Sequence, residues 1–295
     1  MLLHKCDAKL YQVIFSVFKY IYKMKKDISV AMSVYKSDNP IYLHVAIESV
    51  FKQTLLPKEV VLVGDGPLST DLNDVISELQ QKYPNLVFLP QKVNRGLGEA
   101  LRIACENCSC DYIARMDADD IALPERFELQ MSCFEKNPEI SVVGGFITEF
   151  EGEPVNIINY RRLPLTDTEI KKFMIYRSGL NHVTVVMRKD ALMKAGNYSG
   201  DIKQEDYYLW ARMWKCGCQF RNIPDVVVNV RSGANQFARR GGLKYFQNHM
   251  KIFCLMYKWN LITLPQLVKN YVFRFGQVAI PNNLRAYIYK NFLRK

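Results

Sequence analysis

From Arg231 to Lys295 there are 12 Lys or Arg and no Asp or Glu at all. The other 230 residues carry 28 basic against 29 acidic groups, so the formal net charge of +11 is a property of the C-terminal segment. No window approaches ~20 continuous apolar residues, which argues against a transmembrane helix. The apolar N-terminal run Leu10–Tyr22 is interrupted by Lys19 and lacks a small-residue cleavage site, so it makes a poor signal peptide. A second Cys-x-x-Cys is also missing beside Cys105-x-x-Cys108-x-Cys110 and Cys216-x-Cys218. Without it and without a secretory signal, zinc and a disulfide framework are both unsupported, and reduced, partly buried thiols are expected. There is no Gly-x-Gly-x-x-Gly and no Walker loop, so NAD and ATP cradles have no support. No helix-turn-helix, zinc-finger or aromatic RNA-binding signature accompanies the basic residues, and no nucleic-acid partner is expected.

At 295 residues, with 49% apolar and 23% charged content, the chain can bury an ample core. Three parts are expected: an N-terminal basic and apolar extension over 1–26, an α/β domain over 27–235, and a basic amphipathic helical segment over 236–295. In the last of these, basic residues alternate with Tyr245, Phe246, Phe253, Trp259, Tyr271 and Phe275 in helix-like runs. That combination fits an anionic membrane surface; a basic solvent face over an ordinary core helix is the competing reading.

Short β-branched runs alternate with helix-like segments, which predicts a mainly parallel sheet covered on both faces. Strands are expected over Ile28–Val34, Val60–Val63 and Leu86–Leu89, then in a run ending at Asp117, and over Ile140–Phe146, His182–Arg188 and Val226–Val230. Helices are expected from Pro40 to about Gln53, over about 70–83, from Asn94-Arg95-Gly96-Leu97-Gly98 to about Asn107, and over 124–136 and 204–216. Residues 147–180 read as a hairpin or an inserted loop.

Three carboxylates, Asp117, Asp119 and Asp120, fall within four residues at a strand's carboxyl end. Crowded carboxylates repel one another, so a fold that gathers them usually has a cation to hold; an acidic surface turn is the alternative. Open α/β sheets bind ligands at this edge. The loops Ser33–Asn39 and Gly64-Asp65-Gly66-Pro67 should converge there, with Asp65 as an acceptor for a base or ribose. A second acidic pair, Glu205-Asp206, opens a helix. Asp206 shares a face with Trp210 and Met213, so it suits a general base, although an acid in a first helical turn also complements the helix dipole.

Six motifs occur in order: Ser33-Val-Tyr35, Val61-x-Val-Gly-Asp65-Gly66, Asn94-x-Gly96-Leu97, Ala114-Arg-Met-Asp117-Ala-Asp119-Asp120-Ile-x-x-Pro124-x-Arg126, Asn181-His182-x-Thr-Val-x-x-Arg188, and Glu205-Asp206-Tyr-x-Leu-Trp-x-Arg212. Over about residues 28–240 the chain thereby resembles family 2 glycosyltransferases of the GT-A fold, in particular bacterial O-antigen, capsule and amylovoran-type enzymes. Two departures are Val183, where relatives tend to have Pro, and the residues before Lys26, which have no inherited role.

The resemblance implies that Ser33, Tyr35 and Asp65 hold uracil and ribose, with Gly66, Asn94 and Gly96 beside them. It implies that Asp117 and Asp119, with Asp120 close by, reach Mn²⁺ or Mg²⁺ bridging the diphosphate. Asp206 takes the position of the base, with Glu205 as fallback. Asn181 and His182 fall near the transferred sugar or acceptor, unless His182 is a satisfied core histidine. Arg239 and Arg240 fall where relatives hold phosphates. The implied reaction is inverting transfer of a hexose from UDP-glucose or UDP-galactose to a polyprenyl-diphosphate-linked sugar, in a bacterial cytoplasm at the inner face of the membrane. A metal-dependent nucleotidyl- or phosphotransferase and an inactive membrane-associated binding subunit are the rival readings.

Overall fold

Strands buried on both faces need apolar residues at every position, and Val60–Val63 supplies them. The computed structural model describes residues 27–232 and 243–279. Its first half alternates strictly: β1 (Ile28–Val34), α1 (Pro40–Phe51), β2 (Glu59–Gly64), α2 (Thr70–Lys82), β3 (Leu86–Pro90), α3 (Leu97–Asn107) and β4 (Tyr112–Arg115). β1, β2, β3 and β4 are parallel, in spatial order β3-β2-β1-β4. The period of two is visible in the packing. Val30, Met32, Val60 and Leu62 face one core with α1 and α2, whereas Ala31, Val61 and Val63 face another with α3. α1 starts as expected, with Pro40 in its first turn and the Asn39 carboxamide oxygen accepting from the Ile41 amide at 2.9 Å.

Beyond β4 the sheet becomes mixed. A two-residue β5 (Ile121–Ala122) precedes α4 (Arg126–Lys136); β6 (Val142–Phe150) and β7 (Ile157–Arg161) form an antiparallel hairpin, followed by α5 (Asp167–Met174). Then come β8 (Val186–Arg188), α6 (Lys189–Lys194), α7 (Glu205–Lys215) and β9 (Phe220–Arg231). β8 is antiparallel to β4 and β6, whereas β6 and β9 run parallel. Helices cover both faces, α1, α2 and α4 on one and α3, α5 and α7 on the other, so the expected α/β architecture is the observed one.

One expected strand is corrected. Residues 182–184 form a single 3₁₀ turn, and only Val186–Arg188 pairs as a strand. The Thr184 hydroxyl donates to the Asn181 carbonyl at 2.8 Å and accepts from the Gly145 amide at 3.0 Å, while the Asn181 amide donates to the Gly145 carbonyl at 2.9 Å. Local side-chain bonds therefore replace ladder bonds here. The 147–180 stretch resolves into the β6–β7 hairpin and α5.

In the basic segment, α8 (Leu243–Lys258) buries Ile252, Phe253 and Met256 in the core shared with α7, and α9 (Leu264–Ala279) packs beside it. No helix among the described residues is long and apolar enough to cross a membrane. The extension over 1–26 and the expected phosphate ligands Arg239 and Arg240 lie outside the described residues.

Candidate active site

The chain leaves the sheet at the carboxyl end of β4, and the acidic turn begins there. Arg115, the last residue of β4, is only 2% exposed and grips Asp117 through both terminal nitrogens, Nη1 at 2.6 Å. This fork-to-fork pair anchors one carboxylate. Asp120 is buried, and its Oδ1 accepts the Arg231 amide at 2.8 Å; Arg231 Nε donates to the Asp119 carbonyl at 3.2 Å. The end of β9 thus closes the turn. Below it lies Arg126, fully buried, which donates to the Arg115 carbonyl at 2.7 Å and to Gln130 Oε1 at 3.2 Å.

One oxygen from each of Asp117, Asp119 and Asp120 lies within 4.8 Å of the others. Burial and then the charge of Asp117 push the Asp119 carboxyl up to about 6, even though its side chain still reaches solvent. Burial, Asp117 and Asp119 drive Asp120 well above the carboxylate range. These groups resist ionising together until a cation joins them. An all-oxygen donor set of this kind fits a hard divalent ion.

Asp65 is held within its own loops. Its two carboxylate oxygens accept the Arg95 amide at 2.7 Å and the Gly96 amide at 2.9 Å, and its carbonyl accepts from Asn94 Nδ2 at 3.0 Å. The carboxylate sews the loop after β2 to the start of α3, and its remaining lone pairs are what a ligand could use. Gly66 has φ +86°, and a Cβ there would sit 2.7 Å from the Asn94 nitrogen, so this contact requires glycine. Tyr35 is exposed and Ser33 half-buried at the end of β1, beside the same edge.

The second acidic pair stands on α7. Gln204, just before the helix, has φ +93°, a strained conformation for a side chain with a Cβ, and its buried Oε1 has no hydrogen-bond partner among the described residues. Glu205 and Asp206 follow, both half-buried. Burial and then Asp206 raise Glu205 to about 6; burial also raises Asp206, against the pull of Arg115 and Arg161. Trp210 lies one turn on from Asp206, wholly buried, with the His182 ring edge-on to it at 6.1 Å. His182 Nε2 is 2.8 Å from the Tyr198 hydroxyl, and burial together with Arg115 keeps the ring neutral.

Arg115 joins these groups. Burial disfavours its charge, but Asp117, Tyr198 and Asp120 more than restore it, and the same guanidinium acts on His182, Glu205 and Asp206. The acidic triad and the Glu205–Asp206 pair, nearly ninety residues apart in sequence, therefore both feel the charge of Arg115. α3 closes the remaining side: a Cβ on Gly98 would lie 2.5 Å from the Ser199 carbonyl oxygen and 3.3 Å from Glu205 Cβ. Arg115, Tyr198, Gln204 and Gly98 were given no role of their own from sequence. Only Arg115 carried a signal there, as a cation ending an apolar strand directly before the acids.

The comparisons with known proteins follow this geometry. A model described as Glycosyl transferase family 2 matches residues 29–198. The amylovoran biosynthesis glycosyltransferase AmsE of Erwinia amylovora is 39% identical over 227 residues, 77% of this chain and 84% of the relative. A UDP-Gal:alpha-D-GlcNAc-diphosphoundecaprenol beta-1,3-galactosyltransferase of Escherichia coli is 33% identical over 267 residues, 90% of this chain and 96% of the relative. Among solved structures, GalNAc-T7 with UDP, GalNAc and Mn2+ superposes with a TM-score of 0.66 at 14% identity. That match covers 90% of this chain but 54% of the other, so the chain spans about half its length and the likeness concerns the fold alone. The family match spans more than half of the chain, and both relatives are more than 30% identical over more than two thirds of it: the chain belongs to glycosyltransferase family 2.

Proposed function

We propose that this glycosyltransferase moves a hexose, glucose or galactose, from its UDP conjugate to a polyprenyl-diphosphate-linked sugar, with inversion, in surface polysaccharide biosynthesis. The observation that carries the reading is the acidic triad Asp117, Asp119 and Asp120 at the end of β4, whose oxygens lie within 4.8 Å of one another, with the Glu205–Asp206 pair under the charge of the neighbouring Arg115. The triad suits a cation and the pair a proton. The named activities of the Erwinia amylovora and Escherichia coli relatives support the pathway class and the acceptor chemistry.

Asp117, Asp119 and Asp120 would hold Mn²⁺ or Mg²⁺, which when bound offsets the charge developing on the departing diphosphate. Ser33, Tyr35 and the Asp65–Asn94–Gly96 loops border the place for the nucleoside. Asp206 receives the proton of the acceptor hydroxyl as that oxygen attacks the anomeric carbon from the face opposite UDP. A carboxylate whose pKa is raised by burial is a better base than a free one. Glu205 beside it is the alternative base. Neutral His182, fixed by Tyr198, can accept or donate a hydrogen bond without adding charge. The lipid diphosphate of the acceptor sets the reaction at the inner face of the cytoplasmic membrane.

The test is a donor screen with the full chain, a synthetic GlcNAc-diphosphate-lipid and Mn²⁺. UDP should be released with each glycosidic bond formed, and a chelator should stop it. Asp119→Ala should lower turnover by about 10²-fold or more. Release of phosphate or diphosphate in place of UDP, or turnover indifferent to the chelator, contradicts the proposal.

A further inference from the structure

α9 turns Leu267 and two polar residues inward and most of its large apolar residues outward. Asn270 and Arg274 are buried; Asn270 Nδ2 donates to the Ile175 carbonyl at 2.9 Å, and Arg274 Nη2 to the Tyr176 carbonyl at 3.0 Å. These bonds occupy carbonyls just past the last turn of α5. Elsewhere on the helix, Leu264, Val268, Tyr271, Val272 and Phe275 recur at i, i+4, i+7, i+8 and i+11, which is one continuous stripe. Each is between 50% and 65% exposed. Phe246 of α8 meets the edges of Tyr271 and Phe275 at 5.4 and 6.2 Å, yet half or more of every stripe residue stays exposed, and an apolar face of this length marks an interaction surface.

Charge selects the occupant. Lys244, Lys251 and Lys258 recur every seven residues on the exposed side of α8, the helix that packs against α9. No acid occurs anywhere from Arg231 onward. α8 and α9 expose Lys244, Lys251, Lys258 and Lys269 and carry no acid, so this surface repels a second copy of itself and attracts anionic headgroups. Tyr271 and Phe275, stacked with rings at 6.3 Å, are side chains suited to the headgroup boundary.

We infer that the α9 stripe is the surface on which the protein lies against an anionic lipid bilayer, with the lysines of α8 supplying the attraction to its headgroups. The purpose rests on the lipid-linked acceptor proposed above. The carbonyls that α9 holds at 175 and 176 begin the loop running to Asn181 and His182, so a docked α9 would hold the acceptor side of the site near the membrane.

Vesicle binding by the full chain, without donor or acceptor, tests this independently of catalysis. Vesicles of phosphatidylcholine alone are compared with vesicles containing about one-third phosphatidylglycerol. The wild-type chain should prefer the anionic vesicles at least tenfold, given roughly fivefold per engaged lysine. Val272→Glu with Phe275→Glu should weaken that binding about tenfold or more, while UDP release on a short-chain soluble acceptor stays unchanged. Lys244→Glu, Lys251→Glu and Lys258→Glu together should abolish the preference for anionic lipid. Wild-type failure to bind, or unchanged binding by the Val272/Phe275 variant, overturns the inference. So does a wild-type dimer that this variant dissociates without loss of vesicle binding, because the stripe then belongs to a second copy. Absence of sugar transfer would count against the proposed activity and leave the vesicle result standing.

Discussion

Of the guanidinium groups around the three carboxylates, Arg115 forks onto Asp117 and Arg231 meets Asp119 through its carbonyl, so among the described residues neither the Asp119 nor the Asp120 carboxylate has an ion-pair partner within the turn. Asp119 and Asp120 are therefore the groups that hold protons when no cation is present. The sign of the pH effect follows. Asp119 is raised from 3.8 to about 6 and Glu205 from 4.5 to about 6, so the stability each contributes is fully present below its ordinary value and is lost as pH rises through about 6. Glu48, lowered to about 2 against burial by Lys82, Lys52 and Tyr83, titrates below this window and does not confuse it. Cation-free protein should thus be easier to unfold with urea at about pH 7 than at about pH 5, and Mn²⁺ should reduce the difference. Asp119→Asn should flatten the slope; an unchanged slope in that variant would show that Asp119 is not raised. The acids themselves were legible in sequence, since three in four residues after an apolar run is an unusual local pattern. Their shared partner was less so, because a strand-terminal Arg ordinarily reads as a solvated end.

Elements whose character is set by local pattern were legible, and those set by distant packing were not. β1 and β2 follow from continuous apolar runs, and α1 from Asn39-Pro40. The run at 182–188 misleads because its alternating Val residues suit a strand, while Asn181 and Thr184 spend their side chains on β6 and close a turn. β9 begins at Phe220, ahead of the expected Val226, because pairing with β6 carries it through Pro224 and Asp225 with shifted register. The start of α3 is the clearest long-range case. Gly98 looks like part of a flexible opening, yet it lets the Ser199 carbonyl and Glu205 Cβ approach. Gly98→Ala should destabilise the fold by about 1–3 kcal/mol, since its nearest obstacle is backbone that no rotamer change can move. Turnover should fall with it as Glu205 and Asp206 shift. Chemical denaturation and a donor assay on the same preparation check both, and a neutral result would mean that α3 and α7 can separate without cost.

At the scale of the molecule, parallel strands deliver β1, β2 and β4 to one edge, and the antiparallel return through β8, β6 and β9 brings Arg231 back to Asp120. The six motifs follow that path in order, which is why family and architecture could be read before any contact was known. The charge asymmetry was equally plain in sequence, whereas the inverted packing of α9 was visible only in the structure. The proposed mechanism separates two tasks: the β4 turn would take the leaving group, and the start of α7 the proton. Comparing Asp206→Asn with the wild-type chain for Mn²⁺-dependent UDP binding and for hexose transfer tests that division most directly. UDP binding should be unchanged while transfer falls about 10²–10⁴-fold. Transfer at the wild-type rate, or UDP binding lost in step with it, would contradict the assignment of the proton to α7.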